Sequence, residues 1–297
     1  MKFAAIDVGS NAVRLLFTQV FEKKDETYFK KDSLFRVPIR LGEDVFVKSK
    51  ISDKKADSLI KTMIAFKYLI EAYGPLDYMA IATAAMREAE NSREIVKAIE
   101  SQSGIDLEII DGQREAEIIY SNHIAEKLDK KGNYLYIDVG GGSTELTLIS
   151  ESVIVNSHSF KLGTVRLLKE KVPKAEWQRM KDWLKENTSK YPSIMGIGTG
   201  GNINKILKMS LKEEGETLSY KNIKKVYDLV NSYSFGDRIS KLNLRPDRAD
   251  VIIPATRIFL RAIKWADIKE LYVPSIGLSD GIIHVLYEKQ KRMRIKA

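Results

Sequence analysis

Cysteine is absent from this chain. That removes a disulfide scaffold, a thiolate zinc site, an iron–sulfur cluster and a cysteine nucleophile from consideration. Histidine is scarce: His123, His158 and His284 are the only three. Their scatter argues against a polyhistidine metal site or a Ser-His-Asp triad, so any metal is expected to be a hard cation held by carboxylates. No apolar run approaches the roughly 18 residues of a membrane span. Asp7 interrupts the apolar start too early for a signal peptide. The expected address is the cytoplasm, away from any membrane. Interleaved aromatic and basic residues are also lacking, so nucleic acid is not an expected partner.

What is present fits a soluble globular protein, with 44% hydrophobic and 30% charged residues. A length of 297 residues suggests two domains. Lys plus Arg number 49 against 40 acidic residues, a net charge of +9. That surplus favours anionic partners, although a solvated surface would account for it equally well.

Strand patterns occur at Lys2–Ile6, Val13–Val20 and Thr27–Val37. A helix over Asp53–Tyr73 follows, with Ser52 as its N-cap and Gly74-Pro75 as its stop. Strands at Leu76–Thr83 and Ile105–Ile110 alternate with helices at Ser92–Glu100 and Gln113–Leu128. The pattern then restarts with three strands, Tyr134–Val139, Glu145–Ile149 and Ser152–Phe160. A helix from about Lys174 to Lys190, a strand at Ser193–Ile197 and a helix from Asn202 come next. More helices fill Asn222–Trp265, before a strand at Glu270–Val273 and a helix at Leu278–Lys289. In both halves an apolar strand runs into Asp-Val-Gly, at Asp7 and at Asp138, and a second strand follows at once. Motif and element order together predict a duplicated α/β domain, residues 1–127 and 128–297, divided at the polar break around Lys127–Gly132.

Five segments carry chemistry-bearing residues. Asp7-Val-Gly-Ser-Asn-Ala-Val-Arg14 ends a strand in a carboxylate and offers the amides of Ser10 and Asn11 as an anion-binding concavity. Asp138-Val-Gly-Gly-Gly-Ser-Thr-Glu145 sets two carboxylates around a glycine run that admits a ligand close to the backbone. Mg²⁺ takes one or two carboxylates plus substrate phosphates, and Asp138 and Glu145 fit that need. Gly196-Ile-Gly-Thr-Gly-Gly201 satisfies G-x-G-x-x-G formally, but its place late in the chain favours a third phosphate-facing loop over a dinucleotide site. Arg87 follows a strand end, where a guanidinium suits phosphate, and an ordinary surface ion pair is the alternative. Glu115 falls in a first helical turn after a strand, at the face where α/β sheets bind ligands. It would equally complement the helix dipole there.

Taken together these segments resemble the exopolyphosphatase/guanosine pentaphosphate phosphatase (Ppx/GppA) family, in its short two-domain form. Leu162-Gly-Thr-Val-Arg and Gly277-Leu-Ser-Asp-Gly-Ile add to the match, and all seven pieces occur in family order. The resemblance implies two ribonuclease-H-like domains of the actin-like ATPase superfold with a cleft between them. It implies release of the terminal phosphate of inorganic polyphosphate, or conversion of pppGpp to ppGpp, with Mg²⁺ or Mn²⁺. It carries the catalytic glutamate over to Glu115 and metal-facing roles to Asp138 and Glu145. The phosphate contacts expected are Ser10, Asn11, Arg14, Arg87, Gly140, Gly141, Gly142, Ser143, Thr144, Gly198, Thr199 and Gly200. Two departures stand out: Arg114 where many members have a second glutamate, and Ser279 where an arginine is frequent. The expected partners are an anionic phosphate polymer or a guanosine nucleotide, with room for a homodimer. Two rival functions remain open from the residues alone: a kinase of the same superfold, and a non-catalytic sensor of guanosine tetraphosphate or polyphosphate.

Overall fold

The computed structural model describes every residue except Asp25, His123, residues 125–128, Glu170, Lys171 and Ala297. The expected division at 127/128 and the end of the helix expected over Gln113–Leu128 lie outside the described residues. The chain runs β1 (Lys2–Val8), β2 (Val13–Lys23), β3 (Glu26–Val37), α1 (Gly42–Lys48), α2 (Asp53–Tyr73), β4 (Asp77–Ala82), α3 (Ala84–Glu88), α4 (Ser92–Ser103), β5 (Leu107–Ile109) and α5 (Gly112–Tyr120). It continues through β6 (Asn133–Val139), β7 (Thr144–Ser150), β8 (Val153–Phe160), α6 (Thr164–Leu168), α7 (Lys174–Thr188), β9 (Met195–Thr199) and α8 (Gly201–Met209). Then come β10 (Thr217–Ser219), α9 (Tyr220–Ser232), α10 (Phe235–Ser240), α11 (Pro246–Ala249), α12 (Ile252–Trp265), β11 (Glu270–Tyr272) and α13 (Leu278–Lys296).

Two compact units result. The first holds Met1–Asn122 with Leu278–Ala297, and the second holds His123–Gly277. The final helix therefore belongs with the first unit, not with the residues that precede it. Its Ile282, Ile283 and Leu286 are buried, and it packs on β1, β2, β4 and α5.

Each unit is built on a sheet of the same order. The first reads β3-β2-β1-β4-β5. The second reads β8-β7-β6-β9-β11-β10, the same path with one short strand added. In each, the first three strands are antiparallel and the later ones join parallel to the first. The central strands are apolar almost throughout: β1 is buried from Phe3 to Val8. That suits a strand covered on both faces. The edge strand β3 alternates and is largely exposed. The core of the second unit gathers β6, β7, α8, α9 and α12 around Ile137, Leu146, Ile206 and Phe259. Among the described residues no helix is long and apolar enough to cross a membrane.

Candidate active site

In the first unit, β1 delivers Asp7 near its end, 3% exposed. Its register partner on β2 is Arg14, and Arg14 Nη1 lies 2.5 Å from Asp7 Oδ2. The turn between these strands is closed by Gly9 N donating to Ala12 O at 3.1 Å. The carbonyls of Ser10 and Asn11 accept from the amides of Gly42 and Arg40, at 2.9 and 3.1 Å. The segment after β3 thus holds the turn by its carbonyl side.

Neighbouring strand ends supply the other residues. Thr83 N donates to Val8 O and Ile110 N to Ala82 O, which ties the ends of β1, β4 and β5 together. Arg87, in the last turn of α3, donates to Ile110 O at 2.7 Å. The same guanidinium lies 4.0 Å from Glu115 Oε2. Asp111 caps α5 by accepting from Arg114 N at 2.8 Å, which sets Glu115 in the first turn. Glu115 is 7% exposed. Helix N-terminus and guanidinium both place positive potential on its carboxylate. Arg114 turns outward and pairs with Glu117 at 3.2 Å, so it lies on the solvent face of the helix.

The second unit repeats this turn with different side chains. Gly140 N donates to Ser143 O at 3.0 Å, the counterpart of the Gly9–Ala12 bond. Asp138 on β6 and Glu145 on β7 are register partners, where the first unit has Asp7 and Arg14. Two carboxylates directly opposite each other repel. A row of four residues crosses four strands here: Thr199, Asp138, Glu145 and Ser159. Thr199 donates to Asp138 Oδ1 at 2.9 Å, and Ser159 to Glu145 Oε1 at 2.8 Å. The matching row of the first unit is Ile81, Asp7, Arg14 and Arg36. One row is rich in negative charge and the other in positive charge.

The triglycine turn is held from its carbonyl side by α6. Thr164 N donates to Gly140 O at 3.0 Å, Val165 N to Gly141 O at 2.9 Å, and Arg166 Nε to Gly142 O at 2.9 Å. Among the described residues the amides of Gly141, Gly142 and Ser143 donate no backbone hydrogen bond. Consecutive amides in such a turn suit an anion. Thr144 is buried, with its hydroxyl on Leu162 O at 2.5 Å. Gly198 packs against Leu271 and Ile203, where a Cβ would lie 3.1 and 3.0 Å from their side chains. Gly200 has φ +94, and a Cβ there would lie 2.8 Å from Asp138 Oδ1. The third glycine segment therefore frames Asp138.

Sequence reasoning did not single out Ser159, Arg36 or Arg166 as site residues. Arg166 stood in a segment already noted, Leu162-Gly-Thr-Val-Arg. Ser159 and Arg36 depend on strand register and carry no motif of their own. Ser279, at one of the two departures, is 6% exposed at the start of α13.

Residues 30–290 match the model of the Ppx/GppA phosphatase family. The chain belongs to that family. Exopolyphosphatase 1 of Mycobacterium tuberculosis is 23% identical over 304 residues, covering 95% of this chain and 87% of that protein. The bifunctional 3-dehydroquinate synthase/phosphatase of Fusobacterium nucleatum is 30% identical over 289 residues. That alignment takes in 88% of this chain, which spans only 43% of the relative's length. The crystal structure of the Aquifex aeolicus family member gives a TM-score of 0.76 at 25% identity, with 98% of each chain covered. An exopolyphosphatase structure from Cytophaga hutchinsonii gives 0.83 at 20% identity, covering 97% of this chain and 98% of that one. The fold is accordingly that of two ribonuclease-H-like domains.

Proposed function

We propose that the protein hydrolyses the terminal phosphoanhydride of inorganic polyphosphate, with pppGpp as the second substrate to be tried. The observation that carries this reading is the Asp138–Glu145 pair, two carboxylates in register beside a turn whose amides suit phosphate. A family of phosphatases and a relative called an exopolyphosphatase support it.

The donor set fits a hard divalent cation. It is all oxygen, it carries two like charges directly opposed, and the hydroxyls of Thr199 and Ser159 that donate to it are neutral. Asp138 and Glu145 would hold Mg²⁺ or Mn²⁺, which when bound neutralises charge on the phosphoryl and bridging oxygens.

The protein's own residues do the rest. Glu115 accepts a proton from water as the water oxygen bonds to the terminal phosphorus. The bond from that phosphorus to the bridging oxygen breaks, giving orthophosphate and a polymer one unit shorter. The proton returns to solvent. Arg87 and Arg14 offer guanidinium groups to phosphate oxygens, and the amides of Gly141–Ser143 and of Ser10–Asn11 offer backbone donors.

The test is orthophosphate release from polyphosphate, and separately from pppGpp, by purified protein with Mg²⁺ and no acceptor. Release from either supports hydrolysis. Transfer only when a hydroxyl acceptor is added indicates a kinase, and binding without release indicates a sensor. Glu115→Gln should lower turnover by about 10²–10⁴-fold with substrate affinity retained. Near-normal turnover would remove Glu115 from the reaction. A chelator should abolish activity, and Asp138→Ala or Glu145→Ala should eliminate it or raise the metal concentration required.

A further inference from the structure

The two units offer a comparison within one chain. At the same place in each unit's own sheet, one row holds Asp7 between Ile81 and Arg14, and the other holds Asp138 and Glu145 between two hydroxyls. Asp7 has its charge matched by Arg14. In the second row a hydroxyl donates to each carboxylate, Thr199 to Asp138 Oδ1 and Ser159 to Glu145 Oε1. A hydroxyl holds a carboxylate oxygen in place without cancelling its charge. An arginine or lysine at either flank would hold it and neutralise it together.

We infer that Thr199 and Ser159 are positioning residues, whose hydroxyls each hold one oxygen of Asp138 and of Glu145 in place and so aim the two carboxylates at a divalent cation. This rests on the cation reading given under Proposed function. The hydroxyls sit on the outer strands of the row, β9 and β8, so each approaches its carboxylate from the side away from the other. Their bonds therefore pin one oxygen per carboxylate outward and resist rotation of either side chain. Partners that orient metal ligands in this way are worth about 10–100-fold in metal affinity.

Ser159 occupies its place because of a local irregularity. The hairpin joining β7 to β8 turns at Glu151 and Ser152, both with positive φ, 51 and 63. Counting back from the pair Ser150–Val153 without interruption would set His158 opposite Glu145. A register shift between Leu148 and Ile149 moves the pairing by one residue and brings Ser159 there instead. One residue of slip exchanges the faces of a strand. The bulge thus decides that a neutral hydroxyl, and not an imidazole, faces Glu145.

The experiment is titration of the full chain with Mn²⁺ alone, without substrate, read by electron paramagnetic resonance of free Mn²⁺. Thr199→Val and Ser159→Ala should each weaken binding about 10–100-fold. Thr199→Ser and Ser159→Thr, which keep a hydroxyl, should stay within about threefold of the parent chain. Unchanged affinity in both hydroxyl-deleted variants would overturn the inference. So would equal weakening in the deleted and the hydroxyl-keeping variants, since packing and not the hydrogen bond would then be responsible. Glu145→Gln separates this from failure of the cation reading. If Glu145→Gln binds Mn²⁺ as well as the parent chain, or the parent chain binds none, the cation assignment falls and the inference with it. If Glu145→Gln loses binding while the hydroxyl-deleted variants keep it, the inference alone falls.

Discussion

A Cβ on Gly163 would overlap the backbone of Gly141 and Gly142. The segment carrying Gly163 supplies the amides that bond the carbonyls of Gly140 and Gly141, so the triglycine turn has no slack on that side. Gly163→Ala should cost about 1–3 kcal/mol of stability, the usual range for overpacking. It should also displace the turn whose amides are assigned to phosphate. Thermal unfolding together with phosphate release checks this, and native stability with full turnover would contradict it. At this scale the glycine-rich segments were legible as ligand-facing turns, because runs of glycine beside carboxylates have few other uses. Which glycine does what was not legible. Gly198 makes room for Leu271 and Ile203, whereas Gly200 supplies a positive φ close to Asp138. That distinction depends on neighbours far away in sequence. The outward turn of Arg114 toward Glu117 is a further case, since Asp111 capping of α5 decides which way each first-turn side chain projects.

Long elements announced themselves. The helix read over Asp53–Tyr73 has those bounds in the structure, and Gly74 stops it in the left-handed conformation with its amide on Ile70 O. Short elements did not. α1, α3 and α6 have five to seven residues, too few to display a helical period, and all three bear on the site through Gly42, Arg87 and Arg166. The bulge in β8 was also hidden, because nothing in alternating polarity marks a one-residue insertion. It sends His158 to the face away from Glu145, with its ring 4.5 Å from that of Phe160. Burial, and then the Arg179 guanidinium, hold the His158 imidazole below its ordinary value of 6.5, with Glu176 opposing. The sign follows from linkage. Below pH 6.5 the unfolded chain protonates this histidine more readily than the folded chain does, so folding stability is fully present above that value and falls as the pH drops through the folded one. Replacing it by His158→Gln removes the contribution. The melting temperature of the parent chain should therefore decline more steeply than that of His158→Gln between pH 7 and pH 5. Parallel curves would show that this histidine titrates alike in both states.

The whole chain is arranged so that its last helix completes its first unit. The duplication was legible, since Asp-Val-Gly followed by a second strand occurs in both halves with the same element order. The assignment of the last helix was not. An amphipathic pattern over Leu278–Lys289 says that one face must be covered, but not which sheet covers it. The structure resolves this through contacts more than a hundred residues apart. Gly281 lets the helix backbone approach the carbonyl of Ile118 so closely that any Cβ would overlap it. Ser121 donates to Gly281 O at 3.1 Å, His284 stacks on Phe29 at 3.8 Å, and Tyr287 donates to Glu22 at 3.0 Å. Ile282, Ile283, Leu286 and Tyr287 are 0 to 4% exposed. Burying side chains of this size contributes about 1.5–3 kcal/mol each, so together they rival the roughly 5–15 kcal/mol that holds a typical domain folded. A chain ended at Gly277 should therefore lose the first unit and keep the second, whose core gathers around Ile137, Leu146, Ile206 and Phe259, all within His123–Gly277. Amide hydrogen exchange resolved along the chain reads both at once. Protection should vanish across β1, β2 and β4 and persist across β6, β7 and β9. Gly281→Ala should show the same pattern in milder form, through faster exchange confined to α5, α13 and the strands beneath them. Native protection of β1 in the shortened chain would mean that the first unit folds without its last helix.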